Sequence, residues 1–361
     1  MLQKLPIQAN TSDTVERFLL DLLSDHFDGD TATDESTLAV ASTDNSIWQV
    51  QPQAVISPRS HYAVEQVTKL LSEDSHRNIS LTARGGGTST AGQSLTNSVV
   101  LDCKRYMNSI LDFNQETNQV HVECGAVLQR INDELKQFGV MIGPTVATAS
   151  RATIGGMIGN DSAGKGSQVY GKMSDSVVSL KTVVRGGTIF NNSSELVEVI
   201  KHACDEARPS FNEFWPQLPR FASGYNLPMA WDGETFNSNR IFCGSEGTLG
   251  ITTSAILQCV PIPTTQQLLL ICFDSFDKAL RCGAELTKQK PTAIETVDEM
   301  VLETARNDAS WQPISELLGN AKDSARAILF VESNDAKPLL DVAKKFNPLL
   351  LKNLKDKEEQ N

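Results

Sequence analysis

The chain has 361 residues, with 32 lysines and arginines against 44 aspartates and glutamates, a formal charge of −12. At 40% hydrophobic and 21% charged residues it has an ordinary globular balance, long enough for two domains or one large α/β domain. The acids are spread along the chain, which argues against nucleic acid as a partner and leaves a solvated acidic surface. Its seven cysteines (Cys103, Cys124, Cys204, Cys243, Cys259, Cys272 and Cys282) include no CxxC pair and sit mostly in apolar runs, as buried thiols of a reducing compartment do. Met1 to Asn10 lacks the apolar core of a signal peptide, and no run approaches the roughly 18 apolar residues of a membrane span. The expected location is cytoplasmic, or peripheral at the inner membrane.

In chain order, Val15, Phe18, Leu19, Leu22, Leu23 and Phe27 share one face of an amphipathic helix over Thr14 to Phe27, with Ser12 and Asp13 as candidate N-caps. A polar stretch, Asp28 to Ser46, follows without a predicted element. Strand Ala54 to Ile56, helix His61 to Ser72 and strand Ile79 to Ala83 then give the βαβ rhythm of an α/β fold. Further strands are predicted at Ser98 to Asp102, Ser109 to Phe113, Gln119 to Glu123, Ser179 to Arg185 and Thr248 to Val260, with a helix from Val127 to Phe138 ending at Gly139. Pro261-Ile262-Pro263 marks a domain boundary. Beyond it come strand Gln266 to Phe273, helix Asp277 to Lys288, strand Ala327 to Glu332 and helix Pro338 to Phe346. Leu351 to Asn361 reads as a frayed, charged tail.

Four glycine-bearing stretches carry the chemistry. Arg84-Gly85-Gly86-Gly87-Thr88-Ser89-Thr90-Ala91-Gly92 follows an apolar strand; consecutive glycines let backbone N–H groups converge on an anion such as a pyrophosphate, although an isolated triple glycine more often makes only a tight turn. Neither the P-loop lysine nor the GxGxxG spacing is present. The second stretch, Thr153 to Gly166 with Tyr170-Gly171-Lys172 after it, is either a surface that a large planar ligand approaches closely or a buried bend. In the third, Gly244 to Ile251, Glu246 reads more readily as a structural anchor than as a ligand contact. The fourth, Arg220 to Leu227, holds an arginine and a tyrosine near a glycine turn, a carboxylate clamp or a surface salt bridge.

In this order and wording the four stretches resemble the FAD-linked oxidoreductases of the vanillyl-alcohol-oxidase superfamily, nearest the branch of D-2-hydroxyglutarate, D-lactate and glycolate dehydrogenases. The likeness is strongest to the long bacterial type that adds iron–sulfur segments, and runs from about Trp48 to at least Val297, where Glu295-Thr296-Val297-Asp298 resembles an early cap motif. It implies an α+β fold: a lead-in over residues 1–47, a two-lobed PCMH-type FAD-binding domain over 48–263, and the start of an α/β cap over 264–361. It further implies that Arg84, Gly85, Gly86, Gly87, Thr88, Ser89 and Gly92 wrap the pyrophosphate. Thr153, Gly155, Gly156, Gly159, Asn160, Ser162 and Gly164 would line the flavin and ribityl chain, with Pro144, Thr145, Tyr170 and Gly171 along the cleft. Glu246, Gly250 and Ile251 would lie on the adenine or pyrophosphate side, and Arg220, Ser223 and Tyr225 near the substrate. Covalently flavinylated relatives carry a histidine after the glycine run; Thr88 stands there, so the FAD is expected to be noncovalent.

The five histidines, His26, His61, His76, His121 and His202, precede or fall among these motifs, and none has a second histidine in ligand spacing; no metal site is expected. The resemblance places the catalytic base and the rest of the cap beyond Asn361, so the expectation is of a C-terminally truncated member with apolar surface uncovered. Its substrate would be a small 2-hydroxy acid, D-2-hydroxyglutarate or D-lactate, and its electron acceptor other than oxygen. The alternatives are a noncatalytic FAD-binding fragment or subunit needing a partner chain for the cap remainder and iron–sulfur centres, and a nucleotide-binding or structural α/β protein.

Overall fold

The structure, a computed structural model, describes residues 11–191, 195–216, 224–263, 266–309 and 311–354. Its contacts divide into two compact units. One comprises the chain up to Ala163 and Lys172–Pro261; the other comprises Gly164–Gly171 and the chain from Ile262.

The first unit opens with helix α1 (Asp13–Ser24), whose Ser12 Oγ accepts from the Val15 N–H at 3.5 Å and which buries Val15, Phe18, Leu19 and Leu22. It stops short of Phe27 because His26 adopts a left-handed φ of 55° and turns the chain. The polar stretch that follows is structured after all. Strand β1 (Gly29–Ala32) and helix α2 (Glu35–Ala41) form within it, the helix capped by Asp34, whose carboxylate accepts from the Thr37 N–H at 3.0 Å. These elements escape a periodicity reading because α2 anchors itself through only Leu38 and Ala41.

Strand β2 (Ala54–Pro58), helix α3 (His61–Leu70), strand β3 (Leu81–Arg84) and strand β4 (Val99–Asp102) complete a four-stranded sheet of order β1-β2-β4-β3. Only β2/β4 and β3/β4 are parallel, as the βαβ rhythm requires; β1/β2 is antiparallel. Alternation of side chains along β2 sends Ala54 and Ile56 toward α1 and α3, while Val55 meets Leu38 and Ala41 of α2.

A second, wholly antiparallel sheet follows. It runs β5 (Ile110–Asn114), β6 (Gln119–Glu123), β10 (Ile251–Pro261), β8 (Val177–Val184), β9 (Thr188–Ile189), with β7 (Val140–Ile142) on the far end of β10. Its core is closed by helix α4 (Leu128–Leu135), which buries Leu128, Ile131 and Leu135, and by the short helix α5 (Ile154–Gly159), which buries Ile154, Met157 and Ile158. After α4 a 3-10 turn over Lys136–Phe138 ends at Gly139, φ 72°, the left-handed stop that glycine supplies. A 20-residue helix, Glu195–Phe214, then interrupts the sheet; Pro209 within it hides it from a periodicity reading.

In the second unit helices alternate with strands, yet every pair is antiparallel. The sheet is β12 (Ala293–Val297), β13 (Ala327–Ser333), β11 (Gln267–Phe273), β14 (Leu350–Leu354). Along β11, Leu269, Ile271 and Phe273 pack against Phe276–Thr287 and Lys337–Lys344, while Leu268, Leu270 and Cys272 face Glu299–Arg306 and Trp311–Leu318. Both faces are covered, so β11 is an unbroken apolar run.

The expected frayed tail is corrected here. Leu350–Leu354 is an edge strand, with Leu354 opposite Leu268 and Leu350 opposite Cys272; its pairing comes from a partner strand that local sequence cannot reveal. Residues 355–361 lie outside the described chain. Ile271 is fully buried, so Ile271→Ala is expected to cost about 2–5 kcal/mol, read as a lowered denaturant midpoint.

Candidate cofactor site

All four glycine stretches converge in the structure as far as they are described, and they do so by touching one another. Gly85 and Gly86 lie against the start of the second stretch: a Cβ on Gly85 would stand 2.2 Å from Thr153 Oγ1, and one on Gly86 2.1 Å from the Arg151 carbonyl oxygen. Thr153 in turn caps α5, its hydroxyl accepting from the Gly156 N–H at 3.3 Å. Gly155 donates to the Cys124 carbonyl at 2.7 Å, and a Cβ there would meet Cys124 Cβ at 2.8 Å. At the other end of α5, the Ile158 and Gly159 carbonyls accept from the N–H groups of Gly244 and Glu246 at 3.0 and 2.9 Å. That seats the third stretch, where Gly244, Glu246 and Gly247 all have positive φ. Tyr225 of the fourth reaches the third through its hydroxyl, 2.7 Å from Thr248 Oγ1.

Between the first three stretches opens a cavity of about 310 Å³, with Tyr225 of the fourth outside its wall. Its walls include Arg84, Gly85, Gly86, Gly87, Thr88, Ser89, Thr153, Gly155, Gly156, Gly159, Asn160, Ser162, Glu246, Gly250 and Ile251 of the residues singled out in sequence. The remaining candidates stand elsewhere. Gly92, φ 79°, packs beside the Trp48 ring, and Pro144 and Thr145 follow β7. Gly164, Tyr170 and Gly171 belong to the second unit, where Lys165 pairs with Glu332. Arg220 and Ser223 lie outside the described residues.

Arg84 is the basic side chain of the wall, but its charge is already used. Its Nη atoms donate to the carbonyls of Ala41 (3.3 Å) and Thr43 (2.6 Å) and to Ser94 Oγ (3.3 Å), and burial pushes the guanidinium below its usual range, opposed by Asp44. Arg84 therefore pins the 41–44 loop to the glycine turn. Among the described residues none accepts a hydrogen bond from the backbone N–H groups of Gly86, Gly87, Thr88 or Ser89. A row of unpartnered donors at a left-handed turn (Gly87, φ 61°) is an anion cradle, and it fits a dinucleotide pyrophosphate. The Glu246 carboxyl also faces the cavity, raised by desolvation and pulled down by a hydrogen bond from Gln93.

Sequence reading missed Gln93, Cys103, Cys124, Gly125, Val146 and Thr148 in the wall, because none lies in a glycine run. It also missed an ion pair behind the site. Lys172 Nζ meets Asp161 Oδ2 at 2.6 Å with both side chains under 10% exposed, and Asp161 further accepts from the Ser174 N–H at 2.8 Å and its hydroxyl at 3.1 Å. Arg240 extends the network to Ser174 and Asp175 at 2.9 and 2.7 Å. Since Asp161 and Lys172 flank the segment Gly164–Gly171, the pair closes the neck of that excursion.

Residues 52–193 match the family described as the FAD binding domain, and residues 262–349 the C-terminal domain of FAD linked oxidases. The chain belongs to the FAD-linked oxidases. The FAD domain match spans the first two glycine stretches and the cavity wall they build. A D-2-hydroxyglutarate dehydrogenase of Escherichia coli (strain K12) is 37% identical over 328 residues, 86% of this chain and 32% of that protein. A mitochondrial D-lactate dehydrogenase [cytochrome] of Saccharomyces cerevisiae is 27% identical over 70% of this chain and 38% of its own. The chain thus spans about a third of the length of these curated relatives. Among solved structures, an alkyldihydroxyacetonephosphate synthase has the same fold, with TM-score 0.71 and 19% identity over 95% of this chain and 62% of that one. Among the described residues no group of side chains could hold a metal ion, and no helix is long and apolar enough to cross a membrane.

Two substitutions test the site. Gly86→Ala drives a methyl into the Arg151 carbonyl and is expected to weaken FAD binding about ten-fold or more, a loss of about 1.4 kcal/mol, with the circular dichroism of the fold retained. Lys172→Met leaves Asp161 buried without its partner and is expected to cost about 3–5 kcal/mol, measured by denaturant unfolding.

Proposed function

We propose that this chain is the FAD-holding part of a dehydrogenase that oxidises a D-2-hydroxy acid, D-2-hydroxyglutarate ahead of D-lactate, to the 2-oxo acid. The observation that carries the reading is the cradle of unpartnered N–H groups from Gly86 to Ser89 in the wall of the shared cavity. Those donors would hold the pyrophosphate, and α5, whose glycines keep side chains out of the wall at Gly155 and Gly156, would let a planar ring approach. Thr88 offers no imidazole to a covalent flavin link, which supports noncovalent FAD. Bound FAD supplies the hydride acceptor, while the protein orients the substrate and takes its hydroxyl proton.

None of the five histidines lines the cavity, so the proton acceptor is proposed to come from outside this wall. His76 is spent on Asp21 at 3.1 Å and His121 on Ser254 at 3.2 Å. Tyr225, with its hydroxyl shared with Thr248, and Arg220 and Ser223 of the same stretch remain the proposed substrate contacts. The word cytochrome in the name of the S. cerevisiae relative supports an electron acceptor other than oxygen, and the D-2-hydroxyglutarate dehydrogenases among the relatives support D-2-hydroxyglutarate as substrate. We place the protein in the cytoplasm or peripherally at a membrane.

The test is spectroscopic. The chain is incubated with FAD, freed of excess, and mixed anaerobically with D-2-hydroxyglutarate or D-lactate. Retained flavin that bleaches is the expected outcome; retained flavin that stays oxidised would reduce the chain to a binding subunit awaiting a partner, and a colourless protein would remove the reading.

A further inference from the structure

The cavity wall contains two cysteines, and their backbones lie close together. Cys103 directly follows β4 of the first sheet and Cys124 directly follows β6 of the second; both are buried, at 6% and 5% exposure, and both face the cavity. Both belong to one buried cluster with Met107. Their backbones are drawn together because the next residue is glycine: a Cβ on Gly125 would stand 2.6 Å from the Cys103 carbonyl oxygen and 2.5 Å from that of Met107. Both are also anchored. The Cys103 carbonyl accepts from Met107 N–H at 3.0 Å; Cys124 donates its N–H to the Thr253 carbonyl at 2.9 Å and accepts from Gly155 at 2.7 Å. The other five thiols, Cys204, Cys243, Cys259, Cys272 and Cys282, are buried and do not line this cavity.

We propose that Cys103 and Cys124 are a redox-active dithiol opening into the cofactor cavity, closed to a disulfide by a peroxide when the cavity is empty and shielded when FAD fills it. The disulfide needs two cysteines whose backbones lie close, as the approach of Gly125 to Cys103 provides, and the cavity supplies the path for a small oxidant to thiols otherwise sealed from solvent. Cys103 holds its proton well above the usual thiol range, first through the neighbouring Cys124 side chain and then through burial, so it enters second. The Cys124 sulfur attacks the peroxide: an S–O bond forms, the O–O bond breaks, and water leaves with the thiol proton. The Cys103 sulfur then attacks the sulfenic sulfur; the S–S bond forms, the S–O bond breaks, and a second water leaves. Two thiols lose two electrons, and one hydrogen peroxide becomes two waters. The bond would join the end of the first sheet to the second at the wall that meets α5.

The shielding half rests on the cavity being the FAD site, and the experiment separates the two. The full chain, with and without FAD, is treated with hydrogen peroxide, denatured in N-ethylmaleimide and digested, and its peptides are weighed; flavin retention is read from visible absorbance on the same sample. The expected result is a single linked pair, Cys103 to Cys124, with the other five cysteines alkylated, and a several-fold slower appearance of that pair in the FAD-loaded chain. Cys103→Ser should leave a Cys124 sulfenic acid that dimedone traps. Linkage through other cysteines, or an alkylated pair in the FAD-free chain together with no trapped sulfenic acid in the variant, would overturn the proposal. Equal linkage in a chain that visibly retains FAD would overturn the shielding, whereas a chain that links but never retains colour would sink the cofactor reading instead.

Discussion

Everything at the site depends on how closely two backbones can approach. The turn that follows β3 and the cap of α5 lie so near each other that a single methyl group on Gly85 or Gly86 would overlap Thr153 or Arg151. Because these positions have no Cβ, the turn can lie against the α5 cap and still line the cavity, with the N–H groups of Gly86 to Ser89 unpartnered among the described residues. Thr153 can at the same time cap α5 and present its hydroxyl to the turn. The third stretch completes the frame by capping the opposite end of α5 with the Gly244 and Glu246 amides. A six-residue helix with little stability of its own is thus held at both ends by the segments that share the site with it.

The supporting scaffold is divided accordingly. The first sheet delivers the anion turn at the end of a parallel pair, where βαβ topology places loops at strand C-termini. The antiparallel sheet, built on the eleven-residue β10, delivers α5 on one side and the Gly244 turn on the other. Charge is placed behind the wall more than in it. Arg84 fixes the 41–44 loop, and Asp161, Lys172 and Arg240 fix the neck of the excursion at Gly164–Gly171, while the surface that would meet a pyrophosphate is built from amides. Amides are dipoles fixed by the fold, so they need no counterion when the site is empty and cost little reorganisation when it fills.

Much of this was legible before folding. The apolar periodicity of α1, α3 and α4, the alternating or continuous apolar strands, and the glycine spacing in four stretches are local signals, and each is written within a few residues of the element it makes. Arg84 was also visible, although as a ligand for phosphate, whereas the fold uses it to hold Ala41, Thr43 and Ser94. What escaped had no local signal. The strand Leu350–Leu354 exists only because β11 offers an open edge, α2 rests on two small contacts, and the Glu195–Phe214 helix carries a proline inside.

The sequence by itself determined where backbone could come close to backbone, because glycine placement and apolar period act over a few residues through sterics and burial. Only the tertiary structure decided which side chains meet across the chain, Asp161 with Lys172 and Tyr225 with Thr248, and which share one wall, as Cys103 and Cys124 do. Those meetings depend on the register of β10 against β6 and β8 and on the docking of the two sheets, and strand register is set by the summed burial of whole faces rather than by any residue near the contact.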